Sequence, residues 1–425
     1  MKRAALSAKP VLGAGSDFAS NLDARKARGA RRLALFMVAT VFAVVSLVTL
    51  VASIVNDAFG YVLLEDTVSP ASLARDGVAL QDLDAETLTE ILREHASRRY
   101  FMKLEADRPF AERPRSEILD LVFAEVVASE VEHTWNLVDS LFRRSTIRSW
   151  AAENSPDGRL EFRAWLNPSF LGKSQAPRAV DAGVRGALIG SLLTILITIA
   201  FAFPIGIGAA VYLEEYAKPN RLNRFIQTNI YNLAGVPSII YGMLGLAIFV
   251  RFMEPLTSGA MFGVVVDPTT ANGRTIFSAG LTLALLILPV IIINAQEALR
   301  AVPATLRYSS YAVGATKWQT ILHHVLPTSM DRILTGTVLA VSRAVGETAP
   351  LVVVGASAFL TKDPSGIFSK FTTLPIQIYQ WTARPQQEYR NAAAAAILVL
   401  LALLLTLNAS AIVLRNRFRK NKRLG

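Results

Sequence analysis

The sequence contains no cysteine and only four histidines, and these two facts exclude several kinds of site. Without cysteine there is no disulfide, no thiolate metal site and no cysteine nucleophile. His323 and His324 are adjacent, whereas a zinc site on a helix uses histidines four residues apart. We therefore predict no metal site and no catalytic residue of these kinds.

The chain also lacks a complete nucleotide phosphate-binding loop. The segment NPSFLGKS (167–174) ends like one, but Asn167 stands where the motif requires its first glycine. We therefore expect the chain to bind no cofactor and to hydrolyse no ATP by itself. Its net charge of +11 is not read as a nucleic-acid site, because the basic residues are concentrated beside apolar runs.

Long apolar runs dominate the remaining sequence, which is 52% hydrophobic with a mean hydropathy of +0.37. A run of about 18 apolar residues is long enough to span a membrane. Six runs qualify, so we predict an all-α integral membrane protein with six transmembrane helices, at 33–55, 184–213, 226–250, 275–295, 331–360 and 391–414. The first run could also be a signal peptide, but it is long and lacks a clean A-x-A end, which favours an uncleaved anchor.

Basic residues at both ends predict the topology. Lysine and arginine mark the cytoplasmic side of membrane spans, and they are frequent in the N-terminus, 1–32, and in the tail, 415–425. An even number of spans then places both termini in the cytoplasm. The loop 296–330 would lie on the same side.

A long polar segment, 56–183, separates the first two spans. It contains 22 acidic and 15 basic residues, whereas the rest of the chain is strongly basic. We predict an extra folded domain on the outer, periplasmic face. Apolar residues at helical spacing predict helices over 85–107 and 115–145, the second with Ser116 as its N-cap, and a short strand or hairpin is expected within 154–170.

Prolines occur in spans two to five, at Pro204, Pro237, Pro289 and Pro350, and not in spans one and six. A proline inside a helix bends it and leaves one carbonyl without its helical donor. In lipid that carbonyl needs a partner from protein or water. We therefore expect spans two to five to pack inward around a cavity, although proline is also generally common in membrane helices.

An arginine and a glutamate lie in the apolar segment AVSRAVGETAPLVVV (340–354). Arg343 and Glu347 are four residues apart, close enough to pair on one helix face. Charged residues within a span usually face a cavity or a partner, and the arginine fork matches a tetrahedral oxyanion. Glu347 could accept the O–H that phosphate keeps near neutral pH and that sulfate lacks. The alternative is a structural ion pair that serves no cargo.

Two further segments contain candidate functional residues. In span three, the Val236-Pro237-Ser238 break predicts polar lining by Ser238 and Tyr241, although either could instead bond a neighbouring helix. The segment 303–327 has two short helical patterns that meet at Gly314, where a left-handed conformation would end one helix. It could dock a partner protein or lie on lipid headgroups.

The spacing AVGA…LP, with Gly314 and Leu326-Pro327, resembles the coupling loop by which ABC-importer permeases contact their ATPase subunit. The glutamate that opens the family loop falls at Tyr308, and the aliphatic position before Leu-Pro falls at His324. The resemblance implies a coupling surface formed by Ala312, Gly314, Ala315, Lys317, Leu326 and Pro327.

Three segments together resemble the phosphate-importer permeases of the PstA type: NLAGVPSIIYGMLG (232–245), YAVGATKWQTILHHVLP (311–327) and SRAVGETAPL (342–351). They imply a type I permease core over 184–414 in a bacterial inner membrane. The implied partners are a second permease, identical or homologous, an ATPase dimer that uses ATP and Mg, a periplasmic phosphate-binding protein and membrane lipids.

Other functions remain open at this point. The cargo could be sulfate, molybdate or phosphonate. The chain could be a membrane sensor whose outer segment binds a ligand, although its longest inner segment is short for an output domain. A passive channel is the third alternative, and it would leave the 303–327 loop without a purpose.

Overall fold

The computed structural model describes residues 22–75, 77–263, 273–357 and 359–421. Two compact units are present, Met1–Ser53 and Ile54–Gly425. Most of the predicted basic N-terminus, 1–32, and the last residues of the basic tail, 415–425, lie outside the described residues. The first unit consists of most of helix α1 (Leu22–Ala58), whose apolar side chains between Leu33 and Leu50 are exposed, as a membrane-spanning helix requires.

The segment after α1 forms a small antiparallel sheet in the order β2-β1-β3. Strand β1 (Phe59–Asp66) follows α1 directly and lies between β2 (Ser129–Thr134) and β3 (Arg159–Ala164). Six helices accompany the sheet: α2 (Ala85–His95), α3 (Arg98–Asp107), α4 (Arg115–Val122), α5 (Leu137–Phe142), α6 (Arg144–Asn154) and α7 (Pro168–Gly172). The sheet departs from the all-α expectation, while the strand predicted within 154–170 is present as β3.

The single helix predicted over 115–145 is wrong. Helix α4 ends at Val122, a π-helical turn follows, and Ala128 adopts a positive φ of 26° that ends the helical run before β2. Such a conformation is unfavourable for alanine and is not visible in the spacing of apolar residues. Ser116 is not the N-cap, because Pro114 holds that position.

The second half of the chain is helical throughout its regular elements. These are α8 (Arg185–Val211), α9 (Arg221–Ala234), α10 (Ser238–Gly245), α11 (Glu254–Thr257), α12 (Ile276–Arg300), α13 (Ala304–Ala312), α14 (Lys317–Thr320), α15 (Leu326–Gly346), α16 (Ala349–Val354), α17 (Leu374–Thr382) and α18 (Gln387–Asn421). Helix α12 is at the centre of the helices. Its most apolar 18-residue stretch is 72% buried, whereas the corresponding stretch of α18 is 11% buried. This difference agrees with the expected inner position of the fourth span and outer position of the sixth.

Helices α8 and α12 approach closely because glycines on each helix leave room for side chains of the other. A Cβ at Gly280 would lie 2.5 Å from the Ile197 side chain, and the Thr198 hydroxyl donates to the Gly280 carbonyl at 3.1 Å. Small residues and interhelical hydrogen bonds are the usual means of helix association in membranes.

Four helices of the described chain are long and apolar enough to cross a membrane, or five if one bent pair counts as a single span. The bent pair, Arg221–Ala234 and Ser238–Phe252, turns by 108°. The predicted span at 331–360 is not among them, because α15 contains charged residues and ends at Gly346. The chain is therefore a multi-pass membrane protein, and six spans remain a prediction.

The four prolines divide into two kinds. Pro204 and Pro289 lie inside α8 and α12. Pro237 instead precedes the first residue of α10, and Pro350 lies in the first turn of α16. The break predicted at Val236-Pro237-Ser238 is present, whereas the bend expected of the fifth span at Pro350 is a break between two helices. Both prolines lie at the start of a new helix, where the missing N–H costs nothing.

Candidate functional site

The first break in the membrane region lies between α9 and α10, and Tyr241 holds it together. The Tyr241 side chain is buried, and its hydroxyl donates to the Leu233 carbonyl at 2.8 Å, across the break. Ser238, the first residue of α10, is half-buried. The Tyr241 hydroxyl thus bonds the neighbouring helix α9, which is the alternative considered to a lining role.

The second break lies between α15 and α16. Helix α15 ends at Gly346, and Glu347 adopts an extended conformation with φ −75° and ψ 119°. Helix α16 then begins at Ala349. The carboxylate of Glu347 consequently projects from a non-helical residue at the junction of two helices.

The two breaks lie against each other in the folded chain. Gly242 of α10 meets α16 so closely that a Cβ there would lie 2.6 Å from Pro350 Cα. Tyr241 also belongs to one apolar cluster with Ala344 and Val345, the residues that follow Arg343. Packing therefore brings the start of α10 to the end of α15, as a site built from Ser238, Tyr241, Arg343 and Glu347 would need.

Arg343 and Glu347 form the predicted ion pair. The Nε of Arg343 lies 3.3 Å from Oε1 of Glu347. The arginine side chain is 56% exposed and the glutamate side chain 17%. Within the described residues the terminal nitrogens of Arg343 have no hydrogen-bond partner, so the outer edge of the guanidinium fork is open. A planar fork with two free donors is suited to bidentate binding of an oxyanion.

The 303–327 segment has the predicted helix–glycine–helix form. Gly314 separates α13 from α14 with a φ of 86°, the left-handed conformation that glycine adopts without strain. Thr316 and Gln319 form a capping box at the start of α14, and the buried Ser310 and Thr320 hydroxyls lie 2.9 Å apart. The turn is therefore held from inside by polar contacts.

Pro327 does not interrupt the second helix of this segment. The run from Lys317 is helical without interruption to Gly346, because a π-helical turn, Ile321–Val325, joins α14 to α15. In this turn the Leu326 N–H bonds to the Ile321 carbonyl, five residues earlier. Pro327 then falls in the first turn of α15, where proline is tolerated.

The outer surface of this segment is apolar and exposed. Tyr308 is 70% exposed, Val313 84% and Trp318 57%. Of the predicted coupling residues, Ala312, Gly314 and Lys317 are exposed, while Ala315, Leu326 and Pro327 are half-buried. Only the first three are therefore fully accessible, and the exposed Tyr308, Val313 and Trp318 extend this surface beyond them.

Two ion pairs that the sequence analysis missed attach this segment and the preceding end of α12 to the end of α8. Arg307 binds Glu215 at 2.7 Å, with side chains 18% and 8% exposed, and Arg300 binds Glu214 at 2.8 Å. Arg307 also donates to the carbonyls of Val302 and Leu299. Two successive glutamates directly after an apolar run were the available signal, but nothing local identifies their distant arginine partners.

Comparison with known proteins agrees with this architecture. Residues 186–421 match the family described as the binding-protein-dependent transport system inner membrane component. Phosphate transport system permease protein PstA 1 of Mycobacterium tuberculosis is 33% identical over 61% of this chain and 78% of its own length. The probable ABC transporter permease protein YqgI of Bacillus subtilis is 30% identical over 54% of this chain and 75% of its own length.

Among solved structures, an inward-facing MetNI methionine ABC transporter covers 55% of this chain and 95% of its own at 19% identity, with a TM-score of 0.41. The family match extends over more than half of the chain, from the start of α8 to the end of α18. It thus contains both helix breaks and the 303–327 segment. The chain belongs to the family of binding-protein-dependent transport system inner membrane components.

Proposed function

We propose that the chain is the transmembrane permease subunit of an ATP-driven importer of inorganic phosphate. Relatives named phosphate transport system permease protein PstA, from Mycobacterium tuberculosis and Yersinia pestis, are each 33% identical to it. Both align over more than three quarters of their own length, which supports a shared cargo. The chain forms one half of the translocation pathway in a bacterial inner membrane, with both termini in the cytoplasm.

The open edge of Arg343 is the observation that carries the substrate assignment. The guanidinium has free donors at the junction of two broken helices, and the mostly buried Glu347 steadies it from one side. Arg343 binds the anion briefly, and Glu347 accepts the phosphate O–H, which sulfate does not offer. Along α15, Arg343 lies about 24 Å from Pro327, a distance within the ~30 Å hydrocarbon thickness.

Energy would come from partner subunits. The exposed surface around Val313 and Trp318 contacts a separate ATPase dimer that uses ATP and Mg. A second permease completes the pathway, and a periplasmic phosphate-binding protein delivers the cargo. In the six-span arrangement, α9 with α10 forms the third span, α15 with α16 forms the fifth, and residues 56–183 remain outside.

Labelled phosphate uptake tests the proposal, in cells that lack this gene and receive wild type, Arg343→Lys, Arg343→Ala or Arg332→Ala at equal membrane levels. Arg332 is exposed on the same helix and has no partner in the described chain, so its removal is the matched control. We expect uptake that excess sulfate does not inhibit, near-normal uptake for Arg332→Ala, and loss for Arg343→Ala. Arg343→Lys should also be impaired, because lysine keeps the charge but not the fork.

Each outcome bears on a different part of the proposal. Inhibition by sulfate would transfer the cargo to another oxyanion. Normal uptake by Arg343→Ala would remove Arg343 from the pathway. Full uptake by Arg343→Lys would favour the purely structural ion pair, because lysine can still pair with Glu347.

A further inference from the structure

A polar pocket of about 350 Å³ lies in the outer segment, away from the transport pathway. Its walls come from β1, α6 and the turn that precedes β3. No carboxylate is among its lining residues, which are Tyr61, Arg144, Arg148, Ala151, Ala152, Ser155, Pro156, Gly158 and Leu160. A pocket with two arginines and no acid has a positive potential, although the segment around it has an excess of acidic residues.

The two arginines lie one turn apart on α6 and share a face. Arg144 is the first residue of the helix, and the first turn contains no acidic residue. Cations near a helix N-terminus are disfavoured by the helix dipole. Within the described chain, Arg144 has only a contact with the Tyr61 ring at 5.9 Å, and Arg148 has no ion pair or hydrogen bond. Two like charges one turn apart, of which Arg144 is at the helix N-terminus, thus have no counter-ion in the described chain.

Neighbouring arginines outside the pocket have acidic partners. Arg143 pairs with Asp139, and Arg159 pairs with Glu161. The absence of an acid is therefore confined to the pocket and is not a general property of this surface. Ser155, one of the lining residues, donates a hydrogen bond to the Glu65 carboxylate at 2.7 Å. Glu65 is not itself among the lining residues.

The pocket lies close to the C-terminal end of helix α1. Strand β1 begins directly after α1, and Tyr61 is three residues beyond the last residue of that membrane-spanning helix. At strand geometry this is about 10 Å of chain. The side chain of Asn56, in the last turn of α1, accepts a hydrogen bond from the Val138 N–H of α5, the helix that precedes α6. Phosphate groups at the level of lipid headgroups are thus within reach.

We propose that Arg144 and Arg148 bind a phosphate group in this pocket, either free inorganic phosphate or the phosphodiester of an anionic lipid headgroup. Both sources present oxygens that the guanidinium fork binds in pairs. The volume is several times the ~30 Å³ share of one water molecule, so a phosphate and its neighbouring atoms fit. The proposal does not depend on the transported cargo.

Calorimetric titration of the purified full chain in detergent separates the two sources. All titrations use the Arg343→Ala variant, which lacks the proposed pathway site. One arm uses inorganic phosphate, and the other uses short-chain phosphatidylglycerol, with short-chain phosphatidylcholine as the zwitterionic reference. Arg144→Ala and Arg148→Ala should each weaken binding about tenfold, as expected for the loss of a charge-assisted contact. Arg143→Ala and Arg159→Ala are matched controls with no expected effect.

Binding of inorganic phosphate that depends on both pocket arginines identifies the free ion as the ligand. The same dependence with phosphatidylglycerol alone identifies the lipid. If neither probe binds, or if the control arginines matter equally, the proposal is overturned. Because no transport is measured, that failure would leave the proposed phosphate import intact.

Discussion

The ion pair between Arg307 and Glu215 should be among the strongest polar contacts that hold the 303–327 segment. Both side chains are mostly buried, and three of the arginine's donor groups are occupied by Glu215 and by two carbonyls. Arg307→Ala would leave a buried carboxylate without a partner and two carbonyls without donors. Removal of one member of such a pair costs about 3–5 kcal/mol.

The neighbouring pair, Arg300 and Glu214, is a matched control. It joins the same end of α8 to the same region of the chain at nearly the same distance, but Arg300 is 54% exposed. Exposed pairs contribute about 0.2–1 kcal/mol, because water screens the charges and competes for the hydrogen bonds. The two pairs differ in burial and in the two carbonyls that Arg307 also binds.

Double-mutant cycles on both pairs, in unfolding titrations of the purified chain, measure the two coupling energies. In each pair the arginine is replaced by alanine and the glutamate by glutamine. We expect the buried pair to couple by at least about 2 kcal/mol more than the exposed pair, from the difference between the two ranges above. Equal coupling energies would refute the reasoning that burial determines the strength of these contacts.

Two other contacts give testable effects. Burial raises the pKa of Asp363, but hydrogen bonds from Ser174 and Arg185, with the arginine charge, together hold that pKa below its usual value. The ionised Asp363 therefore stabilises the fold by up to about 1 kcal/mol. This contribution is present above about pH 3.9 and is lost below it. The difference in melting temperature between wild type and Asp363→Asn should shrink on acidification, and a constant difference would contradict this. Gly242→Ala should lower stability by about 1–3 kcal/mol, because its Cβ would collide with the Pro350 backbone; unchanged thermal unfolding would show that the two helices separate easily.

Local chemistry made part of the site predictable. The pairing of Arg343 with Glu347 follows from their spacing of about one helical turn. The left-handed conformation at Gly314 was predictable because glycine adopts it without strain. Both depend on residues close in sequence. The position of Pro237 also indicated correctly where a span is interrupted, although it begins a helix and does not bend one.

Contacts between distant residues were not predictable in the same way. Arg307 and Glu215 are 92 residues apart, and no periodicity connects them. Strand β2 lies where apolar spacing favours a helix, because pairing with β1 prevails over local preference. The pocket of the outer segment was likewise hidden, since the two arginines that have no ion pair among the described residues can be recognised only once the neighbours of each are known.

The uninterrupted helical run from Lys317 to Gly346 acts mechanically as a lever arm. It has no joint between the exposed turn at one end and Arg343 near the other, apart from the single π-helical turn at Ile321–Val325. Over the ~24 Å from Pro327 to Arg343, a tilt of about 10° would move the guanidinium by about 4 Å. That displacement exceeds the length of a hydrogen bond. If Arg343 binds the anion as proposed, a small rotation imposed at the turn would be enough to bring the arginine to the anion or to withdraw it.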